Sequence, residues 1–133
     1  MAINLSTEVR NARLDAIETV AGTSPILRIR SGTMPTACSD ADAGTVLSEI
    51  TLPSDWMGAA ASGVKTKSGT WEDASADATG TATHFRLYKS DGTTCVMQGT
   101  VGTSGADMIV LTTSFVATQP FTVTSFTLYD GNA

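Results

Sequence analysis

The chain has 133 residues, enough for one domain around one hydrophobic core, and its composition is that of a β-rich folded protein, with 41% hydrophobic residues, 16% charged residues and 22 threonines. A formal charge of −5 argues against nucleic acid as a partner, because phosphate binding is driven by clustered Lys and Arg. No apolar run approaches the roughly 20 residues of a membrane span, and no signal peptide is expected ahead of the polar start Met1-Ala2-Ile3-Asn4, so the reading is a soluble chain made in the cytosol, without a membrane partner.

Charge is unevenly spread. Residues 1–35 carry Arg10, Arg13, Arg28 and Arg30 against Glu8, Asp15 and Glu18, four minus three or +1, while the remainder carries four basic and ten acidic side chains, or −6. Such an acidic body with a mildly basic end suits head-to-tail docking or an acidic partner, although an ordinary solvated surface reads the same way.

In chain order, Ser6 or Thr7 caps a predicted helix whose apolar positions Leu5, Val9, Ala12, Ala16, Ile17 and Val20 recur at spacings of three and four, with Gly22 as its C-cap. The stripe is narrow and Ala-rich, which predicts that it lies against a sheet edge or a neighbouring subunit. Ile26–Arg30 reads as a strand with Leu27 and Ile29 on one face and the arginines on the other. Residues 31–44 are a loop by composition, and residues 45–52 a second strand stopped by Pro53. The stretch Ser54 to Gly63, with Trp56-Met57 at its start, reads as a connection across a sheet edge. Residues 64–71 read as a strand with Lys65, Lys67 and Trp71 on one side.

The clearest signal is a hairpin from Thr79 to Val101, turned by Ser90-Asp91-Gly92. A two-residue Asp91-Gly92 loop pairs Phe85 with Gln98. A three-residue loop with left-handed Gly92 pairs Leu87 with Cys95 and Phe85 with Met97, and keeps one face apolar, which makes it the preferred register. Residues 108–111 are predicted to be buried on both faces. Alternation in Phe121 to Leu128 slips near Thr124-Ser125, the mark of a β-bulge. Seven or eight strands at sandwich spacing result.

Candidate chemistry is sparse. Cys38 and Cys95 leave open a single bridge or two buried free thiols, the latter favoured in a reducing cytoplasm, and neither has zinc-site spacing. His84 reads as a surface residue on the face opposite Phe85 and Leu87, away from Cys95. Asp40 and Asp42 lack the further oxygen ligands of a calcium loop. Trp56 and Trp71 read either as core or interface anchors or as a sugar-binding platform. The expectation is therefore no catalytic residue, no cofactor and no metal.

The runs Leu5-Ser6, Arg10 to Ile17, Leu27-Arg28-Ile29, Ser31-Gly32 and Pro35, then Ala78 to Ala82, Phe85-Arg86-Leu87, Ser90-Asp91-Gly92, Gln98 to Asp107 and Val123 to Phe126, resemble small structural proteins of tailed bacteriophages and prophages. The resemblance spans nearly the whole chain. It implies a virion structural protein, not an enzyme, and transfers no catalytic residues.

These readings combine into one expectation: a single domain over residues 1–133, an antiparallel β-sandwich or jelly-roll-like fold over 26–129 with an N-terminal helix over 5–21. Its expected role is a capsid decoration protein that cements the head shell through repeated contacts. A tail component (tube, baseplate or fibre-associated subunit) is the alternative, and a surface carbohydrate-binding module the second. Expected partners are the major capsid protein or tail subunits and other copies of the chain as a homo-oligomer. The expected location is the virion, assembled in the host cytoplasm. Leu5, Val9, Arg10, Arg13, Met34, Pro35, Trp56 and Met57 are the expected interface, with loss of Trp56 expected to weaken incorporation and spare the fold.

Overall fold

A computed structural model describes residues 3–131, so Met1, Ala2, Asn132 and Ala133, counted within the expected domain, lie outside the described residues. Among the described residues the protein is mainly β with one helix. Helix α1 spans Thr7–Ala21. It starts where the Ser6 side chain accepts a hydrogen bond from the Val9 N–H, and it stops where Gly22 takes a positive φ of 80° and returns its own N–H to Glu18 O.

Ten strands follow: β1 (Ile26–Arg30), β2 (Val46–Thr51), β3 (Val64–Thr66), β4 (Glu72–Asp73), β5 (Gly80–Thr81), β6 (His84–Tyr88), β7 (Cys95–Gly102), β8 (Met108–Val110), β9 (Ser114–Phe115) and β10 (Phe121–Tyr129). Their main sheet runs β2-β1-β6-β7-β8-β10-β3, with β4 also paired to β10, while β5 and β9 form a separate ribbon. All pairings are antiparallel except β7 with β8. That parallel pair is only two residues long and is closed by one loop. Asp107 fastens it by accepting hydrogen bonds from the backbone N–H and hydroxyl of Thr100.

The sheet curls in a sandwich-like way until its ends approach, and the Ser48 hydroxyl of β2 donates to Asp73 of β4 at 2.7 Å. Alternation fills the interior. Leu27 pairs with Leu87 and Ile29 with Phe85 across β1 and β6, and Phe85 meets Phe126 of β10 edge to face at 5.5 Å. Trp71 packs between Phe126 (5.5 Å) and Trp56 (6.0 Å), so aromatic rings run through the centre.

The hairpin takes neither expected register. Leu87 pairs with Met97 and Phe85 with Gly99, then a bulge at Val96 brings Cys95 opposite Tyr88. Asp91 causes part of the difference: its carboxylate accepts the N–H groups of Thr93 and Thr94, which lengthens the turn until Lys89 N–H bonds Thr94 O. The apolar face survives the change. Gly99 completes it, because a Cβ there would lie 2.8 Å from the Phe85 ring.

Two further strand readings change. The expected strand over 64–71 ends as β3 at Thr66, before the turn at Gly69, and β4 begins only beyond it at Glu72; the expected fully buried run over 108–111 is an alternating strand with Met108 and Val110 inside, Leu111 lying beyond it 82% exposed. The slip at Thr124-Ser125 is present: both residues are exposed, and the β8–β10 register shifts between Val123 and Ser125.

Candidate functional site

Three places gather polar or surface chemistry, and each depends on which face of an element turns inward. The first is helix α1. Of the stripe expected to lie against a sheet edge or a neighbouring subunit, Ile17 packs on the core while Val9, Ala12, Ala16 and Val20 are exposed, and the helix docks through Leu14, Ala21 and a polar stripe about one half-turn away. Arg10, Asn11, Asp15 and Glu18, spaced like Leu14 and Ala21, face the domain. Asn11 accepts the Gly63 N–H at 2.9 Å, and Asp15 accepts the Ala60 N–H at 3.1 Å. Lys65, only 1% exposed, gives its three protons to Asp15 (2.6 Å), Glu18 (2.7 Å) and Gly58 O (2.8 Å). Burial works against the charge on Lys65, but the two carboxylates outweigh it and raise its pKa, while the hydrogen bond from Lys65 lowers that of Asp15. Lys65 is thus a fixed cation rather than a nucleophile.

An open cleft of about 600 Å³ adjoins this cluster, lined by Thr19, Thr23, Ser54 and Asp55. Arg10 reaches Asp130 O at 3.1 Å and Arg13 reaches the Asp130 carboxylate at 3.2 Å. Gly63 has to be glycine here: its φ is 72°, and a Cβ would fall 2.2 Å from the Arg10 guanidinium.

The second place is the outer face of β1, β6 and β7, covered by the loop over 31–44. Cys38 and Cys95 are bonded to each other, which corrects the favoured reading of two free thiols. The bulge at Val96 is the reason, because it turns Cys95 from the core side of β7 to the loop side. Arg86, 1% exposed, is wrapped by the loop through the carbonyls of Ala37 (3.2 Å), Cys38 (2.8 Å) and Asp40 (3.2 Å). Its charge is met by Asp42, which also pairs with Arg30 at 3.0 Å and accepts the Tyr88 hydroxyl. Burial opposes the charge of Asp42, but the hydrogen bonds from Tyr88 and Arg86 hold its pKa below the ordinary carboxylate value. A carboxylate so committed to two arginines is a structural counter-ion, not a calcium ligand.

His84 lies under the same loop, 0% exposed, which corrects its reading as a surface residue. It shares the loop side with Cys95, contrary to the expected separation, but that sulfur is already bonded. Burial first, then the charges of Arg30 and Arg86, push the His84 pKa below 6.5, against smaller opposing pulls from the Gly32 backbone and Asp42.

Between pH 6.5 and its folded pKa the unfolded chain therefore binds the extra proton, so stability is full above 6.5 and falls as the pH drops, by at most about 1.4 kcal/mol per pH unit. Asp42 adds a second loss below 3.8, where the unfolded carboxylate protonates first. Thermal unfolding followed from pH 7.5 to 3 is expected to show both falls, and His84→Gln to remove only the upper one; an unchanged profile in His84→Gln refutes the assignment.

The third place is the set of expected interface residues. Leu5 lies half-buried just before the helix, and Val9 stands on the outward side of α1, 43% exposed. Arg10 and Arg13 converge on Asp130 at the helix flank. Met34 and Pro35 are half-buried in the covering loop, with Pro35 O accepting Gln98 Nε2 at 2.6 Å. Trp56 and Met57 are 0% and 1% exposed and belong to the core, so neither has surface to offer. Trp71 is 1% exposed, which removes the sugar platform as well. What sequence reading missed is the Lys65 dock, although Asn11, Asp15 and Glu18 at spacings of four and three were its signal.

No family profile, curated protein or solved structure matches the chain.

Proposed function

We propose that this chain is a non-enzymatic structural subunit of a tailed-bacteriophage virion, in the role of a head decoration protein. One observation carries the assembly part of this reading: α1 is held to its domain by ion pairs and hydrogen bonds, while Val9, Ala12, Ala16 and Val20 face away from it. A helix that docks through Leu14, Ala21 and its polar stripe, yet leaves a second row of apolar residues in solvent, has surface for a further protein contact. The phage assignment rests on the sequence resemblance, which runs from the helix to β10. The mechanism is repetition: weak contacts to the shell and to other copies add up when symmetry supplies many of them.

Quantitative mass spectrometry of purified particles tests this against the major capsid protein. Hundreds of copies in fixed proportion to the shell are the expected result. A few to some tens would move the chain to the tail, and none would remove the virion reading.

A further inference from the structure

The hydrogen bonds around His84 decide where its ring can take a proton. The Thr83 hydroxyl donates to Gly32 O at 2.5 Å and lies 2.9 Å from His84 Nδ1, so its one proton is spent and Nδ1 is the donor of that pair. The neutral ring therefore carries its lone pair on Nε2, which is buried without a hydrogen-bond partner among the described residues. An added proton has to arrive there. Arg30 stands directly opposite on β1, Arg86 is next along the same face of β6, and Thr100, opposite on β7, is uncharged and gives its hydroxyl to Asp107. Asp42 of the covering loop is the carboxylate paired with these arginines, and the Tyr88 hydroxyl donates to it as well. Farther along the face, Arg28 is paired with Glu49. Protonated His84 would thus be a third cation beside one shared carboxylate, its new N–H buried without an acceptor.

The loop over this group has a neck and a pin. At the neck Gly32 and Gly44 touch, with φ of 82° and 73°, and a Cβ on Gly32 would lie 3.1 Å from Gly44 Cα. Two residues without side chains give the loop a pivot there. The pin is the bond between Cys38 and Cys95. Ala37, Cys38 and Asp40, whose carbonyls wrap Arg86, all lie within two residues of it, so the bond keeps that segment on the sheet.

We infer that the loop over 31–44 is a cover with two locks, opened by protonation of His84 Nε2 only once the Cys38–Cys95 bond is reduced, and that opening bares Arg30, Arg86 and His84 as a cationic face. Reduction takes two electrons and two protons from a dithiol, which leaves as its own disulfide while Cys38 and Cys95 become thiols. With the bond in place, the carbonyls stay on Arg86 and the ring resists the proton. Without it the loop swings about its neck, water reaches the ring and both guanidiniums, and the proton binds at little cost. Acid then favours the open loop by linkage. The inference stands apart from the virion reading, since it concerns how the chain answers acid and reductant wherever it acts.

NMR of the full chain tests it, because His84 is the one histidine in the sequence and its ring signals identify themselves. At about pH 7.5 the ring nitrogens are expected to show the Nδ1–H tautomer. The oxidised chain is expected to titrate at lower pH than the chain reduced with dithiothreitol and kept from air, whose midpoint moves toward 6.5. Amide exchange, corrected for the intrinsic effect of pH, reads the cover at the N–H groups of Ala37, Asp40 and Thr45, each hydrogen-bonded in the closed loop. In the reduced chain their protection is expected to fall by about tenfold per pH unit below 6.5, while amides of β1 and β6 stay protected. In the oxidised chain it is expected to hold within about twofold. Reduced His84→Gln is expected to lose the pH dependence. Five results each overturn the inference: equal His84 midpoints in the two redox states, reduced-chain protection that ignores pH, an Nε2–H tautomer, β1 and β6 amides exposed together with the loop, or a pH dependence that survives His84→Gln.

Discussion

Trp56→Ala is expected to lower the unfolding free energy by about 3–5 kcal/mol, the range for removing a fully buried large aromatic. Trp56 is 0% exposed, touches Trp71 at a ring separation of 6.0 Å, and donates its indole N–H to Gly22 O at 3.1 Å. Its loss therefore opens a hole in the aromatic interior and unpins the C-terminal end of α1 at once. Domains of this size have roughly 5–15 kcal/mol in total, so the variant should melt about 10–20 °C lower or fail to accumulate. Calorimetry of the purified chain checks this. A melting point within about 2 °C of wild type would restore the alternative, in which Trp56 acts only at an interface. Val9→Ser makes the contrast, since Val9 is 43% exposed and the monomer should hardly notice.

Replacing Cys38 and Cys95 together by Ser is expected to cost about 4 kcal/mol, because the bridge closes a segment with a sequence separation of 57 and its removal returns that loop entropy to the unfolded chain. The cost has a location. Without the bridge, the loop over 31–44 is held mainly by Arg86, Arg30 and Asp42, so proteolysis should nick it first while the core strands persist. Limited digestion with mass spectrometry reads both parts. If cleavage begins instead in α1 or β10, the loop is not the element that the disulfide secures. In the proposed setting, a virion assembled in a reducing cytoplasm and released into an oxidising medium, the bond forms late. Chain from released particles should then be about 2 Da lighter than chain from freshly opened cells, the mass of the two thiol hydrogens.

Much of the secondary structure was legible because its signals are local. Ser6 and Gly22 bound the helix by satisfying its own terminal N–H and C=O groups, Ile26–Arg30 alternates with period two, and the double exposure of Thr124 and Ser125 marks the bulge in β10. Each signal acts within a few residues, where the chain cannot avoid its own chemistry. The mainly β class and the single helix followed from these pieces.

Which face of each element is buried was a different question, decided by partners distant in sequence. The helix has an apolar stripe and a polar stripe of equal period, and distant partners, Lys65 50 residues beyond Asp15 with Gly63 and Asp130, select the polar one for docking. Strand β6 reads as one apolar face and one solvent face, yet all five of its residues are buried, because a loop more than 40 residues upstream brings carbonyls and Asp42 to Arg86. One bulged residue, Val96, sends Cys95 across the sheet to Cys38. The sequence by itself determined where α1 and strands such as Ile26–Arg30 begin and end, since capping and alternation are satisfied within each segment. Only the tertiary structure decided which side of them is inside, because burying a charge requires a counter-charge that no local pattern names.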